Sequence, residues 1–279
     1  VVSGISLEPE DKSLFIQTDL ASRLEHDFRF DIRNQSQVLS AFEKVQPEVV
    51  VHLAAQPLVR KSYLEPVFTF ETNILGTLNI LNAISQVKSI KASLIVTTDK
   101  VYRDTNQRIP YLESDPLGGS DPYSASKSAA DILTQSWLKS IPAGPIAIAR
   151  AGNVIGGGDW AVDRLVPDTV DALISQKNVI VRSPDSIRPW QHVLDCLNGY
   201  KMGIENLLSA GDSDAWNFGP PPESNKTVLD VVSSLILHWG STETRVEVIN
   251  TEDQLKESSY LLLNSSKARE ALGWSDLLN

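Results

Sequence analysis

Tyr123 and Lys127 stand four residues apart in the run YSASK. On an α-helix that spacing advances about 6 Å and returns to the same face. A phenol and an ammonium then become neighbours, and the ammonium favours phenolate, lowering a tyrosine pKa that starts near ~10. A phenolate beside a cleft accepts a proton from a hydroxyl while hydride leaves the same carbon. Roughly 25 residues upstream, the run LIVTTDKVY ends an apolar segment with Thr97, Thr98, Asp99 and Lys100. The Thr98 hydroxyl suits a hydrogen bond to the reacting oxygen beside Tyr123, and Thr97 reads equally as a strand-end residue. Asp99 suits a general acid if burial raises its pKa. Lys100 is either a base with a lowered pKa or the partner that keeps Asp99 ionised, and spacing leaves both readings open.

Elements must place these groups together. Short apolar runs at 27–30, 48–53, 93–97 and 146–150 read as buried parallel strands. Helices are expected between them. One opens with a capping box at Asn34 and Gln37, a second spans about 66–87, and a third spans about 123–139, opened by Asp121-Pro122. Strand–helix–strand alternation predicts an α/β fold with a doubly wound parallel sheet and right-handed crossovers. Ligands of such sheets sit beyond the carboxyl ends of the strands, where Thr98, Asp99 and Lys100 lie.

After residue 155 the texture changes. Gly156-Gly157-Gly158 breaks regularity, and a helix at 164–176, a strand at 179–182, a helix at 227–239, a strand near 245–249 and a helix at 266–272 follow. The expected division is a dinucleotide-binding domain of 1–153 plus about 191–218, and a smaller substrate-binding lobe of 154–190 plus 219–279.

The 279 residues carry a net charge of −10, which argues against non-specific binding to nucleic acid or anionic lipid. Cys196 is the only cysteine, so no intrachain disulfide forms, and a reducing, cytoplasmic setting is expected. No apolar run reaches the ~18 residues of a membrane span. No metal site is expected.

The segments LAAQ at 53–56, TTDKVY, YSASK and RAGN at 150–153 come in the order and spacing of extended short-chain dehydrogenases/reductases. Within that superfamily AAQPLVRKSY, GGSDPYSASK, RAGNVIGGGDW and SIRPWQHV make the chain resemble the CDP-glucose 4,6-dehydratases over nearly its whole length. The resemblance implies a Rossmann-like sheet and bound NAD. It implies oxidation of glucose at C4 with Tyr123 as base, loss of water across C5 and C6, and return of hydride to C6. In the similar dTDP-glucose enzymes the strand ends Thr-Asp-Glu, with the Asp as acid and the Glu taking the C5 proton. Lys100 replaces that Glu here. By the same resemblance Asp31, Ile32, Leu53, Ala54, Ala55, Thr97 and Arg150 join Tyr123 and Lys127 around the cofactor. Asn34 caps the next helix, which would leave Asp31 free for the adenine. Asn73 is expected to tie strand ends together. Asn153, Asp159, Arg60, Arg164 and Arg188 should face the sugar nucleotide, with Arg182 also a candidate for its diphosphate because guanidinium matches phosphate geometry. For His192 a structural role is as good a reading. A homodimer through the helices at 66–87 and 123–139 is implied too.

No segment fits the glycine-rich dinucleotide loop. The expectation is therefore a fragment whose first strand, glycine loop and terminal segment lie outside these residues, inactive by itself. The competing readings are another nucleotide-sugar dehydratase or epimerase, and a non-catalytic sugar-nucleotide-binding protein on the same fold.

Overall fold

In the computed structural model, residues 1–105, 109–210, 212–221, 224–249 and 260–278 are described. Strands β1 (Ser3–Ser6) and β2 (His26–Arg29) form a parallel ribbon, with α1 (Leu14–Gln17) between them. Helix α2 (Gln35–Val45) follows, then β3 (Val49–His52), α3 (Val59–Leu64) and α4 (Pro66–Phe70). After a π-helical turn at Glu71–Leu75 come α5 (Gly76–Gln86), β4 (Ala92–Val96), α6 (Pro122–Ser140) and β5 (Ile146–Ala151). β10 (Ala215–Phe218) lies beside β5, giving a parallel sheet in the order β10-β5-β4-β3. The ribbon and this sheet share no ladder among the described residues. The segment ending at Phe218 thus returns to the main sheet as its sequence suggested.

The central strands read VVVH, ASLIV and IAIARA, dominated by β-branched residues and alanine. Both faces of β4 and β5 are covered. One face packs on α2, α5 and α6 through Val38, Phe42, Ile80, Ile84, Ile95 and Ile146. The other packs on α8 (Val193–Ala210) through Leu94, Ala147, Ala149, Trp216 and Phe218.

Residues 154–192 and those after 224 build short pairs: β6 (Val154–Ile155) with β9 (Gln191–His192), β12 (Val246–Val248) with β7 (Val179–Val181), and β11 (Lys226–Thr227) with β8 (Ile187–Arg188). Helices α7 (Leu165–Ile174) and α9 (Val228–Trp239) enclose a small core of Val179, Val181 and Val232. α10 (Ser266–Leu272) packs beside α8 and β10.

Capping follows the sequence in part. Asn34 accepts from the Gln37 amide at 3.2 Å, but the reciprocal half of a box is not formed there. The complete box lies at Thr227 and Asp230. The long helix expected at 66–87 runs from Pro66 to Gln86 and contains the π turn within it. Within that turn Asn73 brackets the Gln56 backbone, accepting from its amide at 2.8 Å and donating to its carbonyl at 3.1 Å, and also donates to Ser126 at 2.9 Å. Beyond it, Thr77 meets His52 at 3.0 Å, and Asn79 donates to the carbonyls of Ile32 and Arg33.

Candidate active site

β4 ends at Val96, and Thr98 caps a single 3₁₀ turn at Asp99–Val101. The Thr98 hydroxyl donates to Asp99 Oδ1 at 2.9 Å. Asp99 is only 2 % exposed, and its Oδ2 is buried with no hydrogen-bond partner. Burial raises its pKa, against the opposing pull of Lys100, Thr98 and Arg188. A carboxyl whose pKa is raised by burial is better suited to giving up a proton than an exposed one. Gly152 makes the packing possible: a Cβ there would stand 2.0 Å from Asp99 Oδ2.

α6 brings the second half of the site. Asp121 accepts from the Ser124 amide at 2.9 Å, Pro122 occupies the first turn, and the Tyr123 amide donates to Ser62 Oγ at 3.1 Å. Tyr123 and Lys127 then face the strand end. The Tyr123 phenol is buried beside Thr98 and lies in the field of Asp99. Its pKa is pushed up to about 12, which corrects the expected lowering. Burial outweighs everything else, and the Lys127 ammonium is turned to the Val96 carbonyl at 2.8 Å. Burial in turn pushes Lys127 down to about 8, with Asp131 pulling the other way.

Thr98, Asp99 and Tyr123 open on a cleft of about 1710 Å³. Leu53, Thr97, Thr98, Asp99, Lys100 and Tyr123 form its floor. Asn153, left-handed at φ 43°, Asp159, Arg164, Arg182 and Arg60 line its more exposed part, and Arg188 lines it too. Arg60 and Arg182 both donate to Asp163 Oδ1, at 3.3 and 3.2 Å, and Arg164 donates to Asp159 at 3.1 Å. Arg188 is buried within electrostatic reach of Asp99.

Several expected residues lie off the cleft or are engaged otherwise; Lys127, Ala54 and Ala55 are not among its lining residues. Arg150 is wholly buried and forms a bidentate ion pair with Asp131, both bonds at 2.8 Å, so it does not face the cofactor side. Asp31 is not free: it accepts from the Arg33 amide and guanidinium at 2.8–3.0 Å, which lowers its pKa. Ile32 is buried in the core against the helix at Gly76. Thr97 reaches the floor, but its hydroxyl donates to Asp131 at 3.0 Å. His192 is exposed and accepts from the Leu194 amide, a structural contact.

The sequence reading missed Tyr200 and Cys196, four residues apart on α8, which also line the cleft. Tyr200 lies within electrostatic reach of Tyr123 and Asp99. Their helical spacing was the available signal.

A dinucleotide fits what this chain presents. Leu53 is exposed and apolar at the end of β3, followed by the small residues Ala54 and Ala55. Such a ledge admits a flat ligand close to the backbone, ending at Thr98 and Tyr123. Asp31, although paired, keeps a part-exposed carboxylate beyond β2.

Comparison with known proteins agrees with this geometry. The family model described as GDP-mannose 4,6 dehydratase matches residues 17–278. A CDP-glucose 4,6-dehydratase of Salmonella typhimurium is 41% identical over 285 residues, covering 98% of this chain and 79% of that protein. A dTDP-glucose 4,6-dehydratase of the same organism is 25% identical, over 93% of this chain and 77% of its own length. Among solved structures, the UDP-glucuronic acid 4-epimerase of Bacillus cereus, in complex with UDP-glucuronic acid and NAD, superposes with a TM-score of 0.85 at 21% identity, over 99% and 86% of the two chains. The dTDP-glucose 4,6-dehydratase of Bacillus anthracis in complex with NAD gives 0.81 at 21% identity, over 99% and 83%. At that identity the structural likeness is one of fold.

Proposed function

Since the chain belongs to the GDP-mannose 4,6-dehydratase family, we propose that it is an NAD-dependent CDP-glucose 4,6-dehydratase, a hydro-lyase. Its product is CDP-4-keto-6-deoxyglucose, a precursor for deoxysugar synthesis. The observation that carries this reading is the contiguity of Tyr123, Thr98 and Asp99 at the cleft floor. It joins a hydroxyl-oxidising pair to a buried acid, which a simple epimerase does not need.

NAD, when bound, supplies a hydride acceptor for C4 and a donor for C6. Leu53, Ala54, Ala55 and Thr97 would hold it along the strand ends, with Asp31 at its far end and Lys127 beside Tyr123. The chain's own groups do the rest. Tyr123 takes the C4 hydroxyl proton once charge beside it favours the phenolate that burial disfavours. Thr98 holds the same oxygen. The ketone at C4 acidifies the C5 hydrogen, which Lys100 removes. Asp99, its pKa raised by burial and its Oδ2 without a hydrogen-bond partner, gives its proton to the departing C6 hydroxyl. Arg60, Arg164, Arg182 and Arg188 hold the diphosphate, with Asn153 and Asp159 beside the sugar nucleotide.

We also propose a two-lobe division, with 1–153 and about 191–218 as cofactor domain and the remainder as substrate lobe. Pairing of two copies through α4, α5 and α6 is supported by exposed Val67, Phe70, Leu75 and Ile132. A cytoplasmic location is supported by the single cysteine and the substrate class.

The test is incubation of the full protein and NAD with CDP-, dTDP-, UDP- and GDP-glucose, followed by detection of the 4-keto-6-deoxy product. Product from CDP-glucose above all is the expected result. Turnover confined to UDP- or GDP-sugars overturns the assignment. Asp99→Asn should retain solvent-deuterium exchange at C5 and lose dehydration, and Lys100→Met should lose the exchange itself.

A further inference from the structure

Two residues flank the 3₁₀ turn that carries the acid–base pair: Thr97 before it and Tyr102 after it. Both are tied to one buried ion pair. Asp131, at 0 % side-chain exposure, accepts from Thr97 Oγ1 at 3.0 Å. Arg150, at 1 %, donates through Nη1 to the Tyr102 hydroxyl at 2.9 Å and to the Glu113 carbonyl at 3.0 Å. Its guanidinium also lies 5.2 Å from the Tyr102 ring. The Tyr102 hydroxyl passes the link on to Asn217 on β10 at 2.6 Å. Ser128, also on α6, donates to the Val101 carbonyl at 2.7 Å.

Asp131 follows Tyr123 and Lys127 at the same four-residue interval on α6, so the three share a face. The helix that presents the phenol and ammonium therefore also holds, one turn further on, the anchor of the strand end that presents Asp99 and Lys100. The pair's hydrogen bonds are well satisfied: Asp131 accepts from Thr97, Gln135 and Arg150 twice. A pair so buried adds little stability over an apolar substitute, so its retention here asks for another reason.

We propose that the Asp131–Arg150 pair is a clamp on both ends of the catalytic turn, with Asp131, Arg150 and Tyr102 acting as positioning residues for the elimination. This rests on the dehydratase reading above, but the clamp itself is observable without substrate. A displacement of about 1 Å at reacting groups costs about 10²-fold in rate. The clamp fixes the distance from the oxidising half of the site to the eliminating half.

Thr97→Val and Tyr102→Phe each remove one hydroxyl from the clamp at nearly constant shape. In the full protein with NAD, each should lower kcat for dehydration about 10-fold or more, with KM for CDP-glucose within about two-fold because the rim arginines are untouched. Amide hydrogen exchange at Lys100 and Val101 should accelerate about 10-fold in both, and exchange along β5 should not change. Asp131→Leu with Arg150→Met removes both anchors without stranding a charge, and should lose more kcat than either single variant while remaining folded. Unaltered exchange at 100–101 in the single variants overturns the clamp, whatever the substrate proves to be. Normal kcat in all three variants, or a KM rise that accounts for the whole loss, overturns it as well. A wild-type protein that makes no 4-keto-6-deoxy product refutes the function reading instead and leaves the exchange result to decide the clamp.

Discussion

Two sets of ion pairs meet at this cleft and differ in their water. Beneath the floor, Asp131 and Arg150 are 0 % and 1 % exposed. At the rim, the side chains of Arg60, Asp163 and Arg182 are 37–44 % exposed. The inner pair cannot exchange partners without leaving a buried charge uncompensated. The outer pairs sit in water, where such contacts stabilise by about 0–1 kcal/mol and can be traded for a ligand's phosphate oxygens. The difference separates tasks. On the function proposed above, the geometry of the reacting groups would be set where water is absent, and the nucleotide gathered where water can be displaced.

The sharpest way to break this contrast is Arg150→Met alone. It strands the Asp131 carboxylate and should cost about 3–5 kcal/mol in a urea unfolding experiment. A loss below about 1 kcal/mol would place the inner pair in the same class as the rim. Next comes Gly152→Ala. Its new Cβ must displace Asp99, so kcat should fall about 10²-fold with little change in KM. Full activity there would mean that the Asp99 position is not critical.

A third effect is a titration. Lys127 should titrate near pH 8 by its side-chain carbon shift, below the ordinary 10.5, because burial disfavours its charge. Between those values the unfolded chain holds more proton than the folded one, so this group's contribution to stability rises with pH across the window. It is fully present above 10.5 and is lost as pH falls through about 8. In the Asp131→Leu/Arg150→Met protein the midpoint should move lower still, since Asp131 supports the ammonium. A midpoint near 10.5 would mean water reaches Lys127. The smallest effect is Asp163→Asn, within about 1 kcal/mol on stability, and any change in KM for CDP-glucose should shrink as salt rises. A large, salt-independent loss would make the rim a structural element.

Much of the frame could be read from the chain because it rests on local signals. The apolar runs at 27–30, 48–53, 93–97 and 146–150 became β2–β5 within one residue at each end. Asn34 and Asp121 cap as their types predict. Arg150 was misplaced because β5 is buried on both sides. With IAIARA covered above and below, alternation no longer tells which face meets the cleft. Ile146, Ile148 and Arg150 share one parity, while Ala147, Ala149 and Ala151 pack toward α8. Asp31 was thought free because the capping role had another candidate, yet Arg33, two residues away, takes it. The direction of the Tyr123 shift was reversed because spacing reports neighbours and says nothing of how dry they are. Asp163, left-handed at φ 62°, joins residues far apart in the chain and left no local trace.

The π turn at Glu71–Leu75 has a consequence for how this helix tolerates change in length. Such a turn holds one residue more than regular winding would. Asn73, inside the turn, is keyed to Gln56 and Ser126, while Thr77 and Asn79, beyond it, are keyed to His52 and to the Ile32 and Arg33 carbonyls. Excising a single residue there would restore even winding and swing the upstream half by about 100° relative to the downstream half. Either set of contacts would survive, but not both. The length of this stretch is therefore constrained more tightly than its composition, and a shortened allele should fail where a conservatively substituted one does not.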